Sequence, residues 1–99
     1  MALTSKQRQY LRGLAHPLEP VVRVGKAGVS PNVVAETRKT LEAHELIKVR
    51  VDSDDSDTRK QLAEALAAET DAQIAGVIGK MAILYRPRAE DPEIKLPQS

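Results

Sequence analysis

Apolar side chains near the start of the chain recur at the spacing of an α-helix. They fall on one arc of that helix, which comprises Leu3, Tyr10, Leu11 and Leu14. Thr4 and Gln7 have the spacing of a capping box, so we expect the helix to begin at Thr4. Pro17 disfavours helical geometry in the residue before it, and the helix should therefore end near His16.

Two further helices are predicted from caps and periodic apolar positions. Ser30 is a good N-cap and Pro31 suits the first helical position, so the second helix should run from there to about His44. Its buried side is expected to comprise Val33, Val34, Thr37 and Leu41. The third helix should follow an acidic loop at residues 52–57 and continue to about Glu69, with Leu62 and Leu66 on its buried side.

Short apolar runs predict four strands, at residues 21–24, 47–51, 72–78 and 81–85. The second run alternates cleanly, so Lys48 and Arg50 should face away from the core. Gly79 and Lys80 separate the last two runs, and two residues with glycine first fit a type II′ hairpin turn.

The resulting order, α-β-α-β-α-β-β, predicts an α/β fold. Each β-α-β step should cross over right-handed and place its strands parallel, whereas the final hairpin is antiparallel. We therefore expect a two-layer domain with a four-stranded mixed sheet. A length of 99 residues allows one core, which we assign to residues 1–88, followed by an irregular C-terminal tail at residues 89–99.

Composition narrows the class of protein. The chain has no cysteine, which excludes a disulfide framework, a thiolate metal site and a cysteine nucleophile, and which fits a reducing compartment. No apolar run approaches the roughly 20 residues that span a bilayer, and no secretion signal is recognisable. We therefore expect a cytoplasmic protein that does not enter membranes.

Charge is distributed unevenly along the chain although the formal net charge is only +1. Residues 1–50 carry nine Lys and Arg against four Asp and Glu, whereas residues 51–99 carry six against ten. This asymmetry suggests that one face meets a polyanion. The alternative is an ordinary solvated surface on which the charges happen to be distributed in this way.

The segment Gly25-Lys26-Ala27-Gly28 joins the first strand to the second helix. Glycine permits a tight turn with exposed N–H groups, Lys26 brings a positive head, and the helix N-terminus adds partial positive charge. The spacing fits neither a Walker loop nor a dinucleotide-binding fingerprint. A short Gly-x-x-Gly loop that clamps a nucleic-acid backbone is closer. The alternative is a tight β-α turn without a ligand.

Other basic residues favour the phosphate-binding interpretation if they adjoin this loop. They are Arg8, Arg12, Arg23, Lys48 and Arg50, each of which taken alone would be an ordinary surface charge. A second Gly-x-x-Gly string, at residues 76–79, lies inside a strand pattern, and we expect no chemical role for it.

The sequence argues against several other classes of site. His16 and His44 lie on separate elements without cysteine, and the acidic loop lacks the glycine and glutamate of an EF-hand. Only two aromatic residues are present, both tyrosines, so base stacking of the kind seen in RNA-recognition motifs is not expected. We find no catalytic constellation, and we predict a protein that is not an enzyme, with no metal and no cofactor.

Three stretches resemble the CRM domain family of RNA-binding proteins (chloroplast RNA splicing and ribosome maturation), and specifically its small bacterial stand-alone members. They are LTSKQRQYLRGLAHPLEPVVRVGKAGVS, LEAHELIKVRV and VIGKMAILYRP, which together cover most of residues 3–87. The resemblance implies a fold similar to the C-terminal domain of translation initiation factor three. It also implies RNA binding through Gly25, Lys26, Ala27 and Gly28, and association with precursors of the large ribosomal subunit.

Two functions follow as hypotheses. The first is a monomeric module that binds structured RNA, expected to be the 23S rRNA precursor within pre-50S particles, without a small-molecule substrate. The second is a protein-interaction adaptor that docks on ribosomal proteins or assembly factors with little RNA affinity, using the hairpin edge or the acidic third-helix region.

Overall fold

The predicted order of helices and strands is confirmed in a computed structural model that describes residues 2–98. The elements are α1 (Ser5–Ala15), β1 (Pro20–Val24), α2 (Pro31–His44), β2 (Leu46–Val51), α3 (Ser56–Thr70), β3 (Gln73–Ile78) and β4 (Met81–Tyr85). The strands form one mixed sheet in the order β1-β2-β4-β3. β1 runs parallel to β2, and β4 pairs antiparallel with both β2 and β3.

Side-chain caps fix where the helices begin. The Thr4 hydroxyl accepts the Gln7 N–H at 3.1 Å, and the Gln7 side chain accepts the Thr4 N–H at 3.0 Å, so the predicted capping box is confirmed. Ser30 caps α2 in the same way, and Pro31 occupies its first turn. Asp55 caps α3, which gives one carboxylate of the acidic loop a structural role. None of the helices within residues 2–98 has both the length and the apolar character that crossing a bilayer requires.

The helices cover both faces of the sheet. α2 and α3 pack on one face over a core that includes Val24, Leu41, Ile47, Val49 and Leu66. α1 packs on the other face, which we call the α1 face, over Leu46, Ala75, Ile83 and Tyr85. The α/β class and the four-stranded mixed sheet are as predicted, but the helices form a layer on each face. The apolar arc of a helix does not reveal which sheet face it covers.

The buried side of α1 is narrower than predicted. Leu3, Leu11 and Ala15 are buried, whereas Tyr10 and Leu14 are 42% and 39% exposed. Only a narrow strip of the helix surface contacts the sheet. Because α1 is the one helix on this face within residues 2–98, no second helix covers its flanks. Part of the α1 face beside β1 and β2 therefore remains uncovered.

Residues 86–98 contain no helix or strand, yet a buried carboxylate holds this segment against the domain. Glu45 is fully buried and accepts the backbone N–H groups of Arg88, Glu93 and Ile94 at 2.7, 2.8 and 3.0 Å. Ile94 packs against the core on the α1 face, as does Leu96. Burial alone would raise the pKa of Glu45, but these N–H groups stabilise its charged form and hold the pKa below its ordinary value.

Candidate nucleic-acid interface

The Gly-x-x-Gly segment forms a tight turn at the end of β1. The Gly28 N–H donates to the Gly25 carbonyl at 3.0 Å, and Gly28 has a φ of +71°. Lys26 and Ala27 lie at the exposed tip. The Gly28 N–H is therefore already hydrogen-bonded within the turn and is not free to bind a ligand. Within residues 2–98, no acceptor binds the N–H groups of Lys26 and Ala27, and both residues are exposed.

The two glycines of the turn serve different needs. Gly28 requires glycine because its φ lies in the left-handed region. Gly25 has neither a positive φ nor any atom within 4 Å of the position that a Cβ would occupy. The folded chain alone gives no steric reason for glycine at position 25. Open space beside two unbonded amides permits close approach of a ligand's backbone.

Four of the predicted basic residues lie on the α1 face and form what we call the basic track: Arg12, Arg23, Lys48 and Arg50. Arg23 pairs with Arg50 across β1 and β2, and Lys48 lies on the same face of β2. Arg12 reaches over β3 from α1 and donates to the Ala75 carbonyl at 3.0 Å. Lys48 donates to the His16 carbonyl at 3.3 Å, at the C-terminal end of α1. Lys26 continues the track past the end of β1.

A carboxylate lies within the basic track. Asp52 accepts a hydrogen bond from the guanidinium of Arg50 at 2.8 Å and another from that of Arg23. The Arg23 hydrogen bond is the main cause that holds the pKa of Asp52 below its ordinary value, and Arg50 adds to it. The two arginine side chains remain 72% and 42% exposed, so both still present donors to solvent. The sequence analysis missed this ion pair, although Asp52 continues the alternation of Lys48 and Arg50.

Arg8 lies away from the basic track. Its guanidinium donates to the Leu3 carbonyl at 2.8 Å and to the Ser5 hydroxyl at 3.2 Å. The Leu3 N–H in turn binds the side chain of Gln73, at the start of β3. The Gly-x-x-Gly turn lies at the other end of the sheet, where the Lys80 carbonyl binds the Val51 N–H. The structure therefore places Arg12, Arg23, Lys48 and Arg50 on one face of the sheet, with Arg23 and Arg50 nearest the turn and Arg12 over the far edge strand β3. Arg8 is separated from them.

Two carboxylates of the acidic loop contact other parts of the protein. Asp55 caps α3, and the carboxylate of Asp54 pairs with Lys80 at 3.1 Å.

Across residues 2–98, no three His, Asp or Glu side chains are grouped closely enough to hold a metal ion. His16 and His44 lie at the ends of α1 and α2.

Gly76 has a steric role that the sequence analysis did not foresee. A Cβ at this position would lie 2.7 Å from Cδ of Arg12, so glycine makes room for the arginine side chain on β3. A glycine inside a strand pattern is a typical sign of close approach by another group. That signal was present in the sequence, but the sequence did not indicate that Arg12 was the approaching group.

The comparisons with known proteins place this chain in a family. The profile of the CRS1 / YhbY (CRM) domain matches residues 3–86, and the chain belongs to this family. A protein of Haemophilus influenzae named RNA-binding protein is 44% identical over 96 residues, which cover 97% of this chain and 96% of the relative. The probable RNA-binding protein YqeI of Bacillus subtilis is 40% identical, with 96% and 99% covered.

A solved structure has the same fold. The solution structure of a Staphylococcus aureus protein, described as a candidate RNA-binding protein, superimposes with a TM-score of 0.86 at 44% identity. The match covers 96% of this chain and 99% of that one. The family and the names of the relatives indicate RNA-binding proteins rather than enzymes.

Proposed function

We propose that this chain is an RNA-binding protein that holds RNA phosphates at residues 25–28 and along the basic track. The observation that carries the proposal is the pair of exposed residues Lys26 and Ala27, whose amides have no hydrogen-bond partner within residues 2–98, at the end of β1 beside Arg23 and Arg50. Lys48 and Arg12 extend the same face of the sheet toward β3. Two amides and an ammonium group can bind one phosphate, and the N-terminus of α2 adds partial positive charge. Family membership supports the same function.

The chemistry of this surface favours contact with the RNA backbone over the reading of sequence. Arginine, lysine and amide groups bind phosphates of any nucleotide, so sequence specificity should be modest and affinity should fall steeply with salt. We propose no catalytic step and no cofactor, and we expect the protein to act as a monomer.

The RNA that we propose is structured rRNA, specifically the 23S precursor in pre-50S particles. This part of the proposal rests on the family resemblance. Crosslinking the protein in cells and sequencing the attached RNA tests it. Recovery of 23S precursor segments is expected, and recovery of unrelated RNA at random would contradict it.

The function is tested by measuring RNA affinity as a function of salt for the wild type, Lys26→Ala and Lys39→Ala. Both variants lose one positive charge, but Lys39 is an exposed residue of α2, a helix that packs against the face of the sheet opposite the basic track. We expect Lys26→Ala to weaken binding several-fold and to lower the salt slope by about 0.7–0.9. Lys39→Ala should behave as the wild type. Identical behaviour of the two variants would count against the loop.

The adaptor function remains a second candidate because of one exposed apolar surface. Leu14, Leu18 and Val21 are 39–49% exposed around a groove of about 350 Å³ beside the edge strand β1. This surface lies at the opposite edge of the sheet from the hairpin that the sequence suggested. An adaptor predicts almost no affinity for rRNA fragments in filter binding, whereas the RNA-binding function requires affinity that falls with salt.

A further inference from the structure

A small cleft on the α1 face lies between α1 and the β3–β4 hairpin. It has a volume of about 120 Å³ and is lined by Arg12, His16, Lys48, Ile78, Met81 and Ile83. Three of these side chains are apolar, Ile78, Met81 and Ile83, and two are basic, Arg12 and Lys48. Ile78 is 60% exposed, the largest exposed fraction among the large apolar side chains of residues 2–98. A surface that only bound phosphates would not require an exposed isoleucine among its cations.

The Arg12 side chain lines this cleft and packs closely against β3. The position of a Cβ on Gly76 would lie 2.7 Å from Cδ and 3.3 Å from Cγ of Arg12. One guanidinium nitrogen donates to the Ala75 carbonyl at 3.0 Å, which fixes the orientation of the group. The contact depends on glycine at position 76, because any other side chain would displace the arginine.

We propose that this cleft binds one unpaired nucleobase of the RNA. The proposal rests on the proposed RNA-binding function and adds that the protein recognises unpaired nucleotides. The flat side of a base can lie on Ile78 and Met81, and the fixed guanidinium of Arg12 can stack on it. An apolar cavity of about 150 Å³ accommodates a benzene ring, so the cleft is of suitable size for one ring of a base that remains partly exposed.

The neighbouring cations suit the phosphates that flank such a base. Lys48 lines the cleft, and Arg50 lies beside Met81 in the next strand. A base in the cleft would therefore have its own backbone next to the basic track. Stacking on aliphatic side chains and arginine accepts any base, so this site favours loops and bulges over duplex without selecting a sequence.

The test compares two RNAs of equal length, a hairpin with an unpaired loop and a perfect duplex, and three variants. Gly76→Ala displaces Arg12 without changing any charge, and Ile78→Ser removes apolar surface from an exposed position. Gly13→Ala is the control, because no atom lies within 4 Å of the Cβ it would add. Urea unfolding of each variant establishes that it is folded under the binding conditions.

We expect Gly76→Ala and Ile78→Ser each to lower affinity for the hairpin by about five- to tenfold, as the loss of one stacked base predicts. For Ile78→Ser, affinity for the duplex should stay within about twofold and the salt slope should not change, because no charge is lost or moved. Gly76→Ala should lose clearly more affinity for the hairpin than for the duplex, since the displaced Arg12 also belongs to the basic track. Gly13→Ala should bind both RNAs as the wild type does.

Two results separate failure of the cleft from failure of the proposed function. Equal losses on the hairpin and the duplex, or no loss on either, would overturn the nucleobase site while salt-dependent binding by the wild type still supported the RNA-binding function. Absence of salt-dependent binding of the wild type to both RNAs would overturn the function and the nucleobase site with it.

Discussion

At the scale of single residues, the two glycines of the 25–28 turn allow its conformation and its binding to be tested separately. Gly28→Ala places a Cβ at a φ of +71°, so we expect it to lower the free energy of unfolding by about 1–2 kcal/mol. Gly25→Ala meets no such constraint, and its stability should equal that of the wild type or exceed it by up to about 1 kcal/mol. Urea unfolding measures both changes.

The effect on RNA affinity should be the reverse of the effect on stability: Gly25→Ala should weaken binding more than Gly28→Ala does. The Cβ of Gly25→Ala would point into the open space beside the amides of Lys26 and Ala27, so we expect affinity to fall several-fold without loss of stability. The folded fraction of Gly28→Ala should bind nearly as the wild type does. If Gly25→Ala bound RNA with unchanged affinity, the loop backbone would not be the phosphate contact.

At the scale of elements, Glu45 joins the end of α2 to the C-terminal segment. Glu45→Ala would leave three partly buried N–H groups without their acceptor, and we expect the free energy of unfolding to fall by about 1–3 kcal/mol. Glu42→Ala is the control, because Glu42 is in the same last turn but 72% exposed. Urea unfolding should show a change within about 0.5 kcal/mol for that control.

The pH dependence of stability gives the same contact a second test. The pKa of Glu45 is lowered in the folded state from an ordinary value of 4.5. Its contribution is therefore fully present above that ordinary value and is lost as the pH falls through the folded value. The wild type should lose more stability than Glu45→Ala between neutral and acidic pH. Parallel pH profiles for the two proteins would contradict this stabilising role of the Glu45 carboxylate.

Local patterns predicted the elements well because caps and alternation act over a few residues. Thr4, Ser30 and Pro31 each mark a helix start where the structure has one. The alternation of Lys48 and Arg50 correctly placed both on the face away from the α2 and α3 core. The contact of Glu45 with residues 88–94 was not predictable, because a glutamate at a helix end is usually solvated and the tail has no periodic pattern.

Contacts between distant segments account for most of what the sequence did not reveal about the site. Arg12 was expected to flank α1, but only the packing of α1 across β3 brings it to Gly76 and into the basic track. Arg8 has the same residue type one helical turn earlier, yet it binds its own helix N-terminus. Sequence spacing gives two arginines on one side of a helix, and the direction in which α1 crosses the sheet decides which one joins the basic track.

At the scale of the whole molecule, the local arrangement of charge should govern RNA binding more than the net charge of +1. The basic track and Lys26 together present five positive side chains, and Asp52 offsets one of them. Neutralising about four phosphates predicts a slope of log affinity against log salt of about −3 to −4. A protein that bound through its net charge alone would show a slope of about −1.

Two variants with the same net charge distinguish these cases. Arg50→Ala removes a charge from the basic track, and we expect the slope to become shallower by about 0.7–0.9. Arg8→Ala removes a charge from the other end of the sheet and should leave the slope as in the wild type. Titration of RNA affinity between about 50 and 200 mM salt measures both slopes. Equal changes in the two variants would mean that RNA responds to overall charge, and the α1 face would then have no special role.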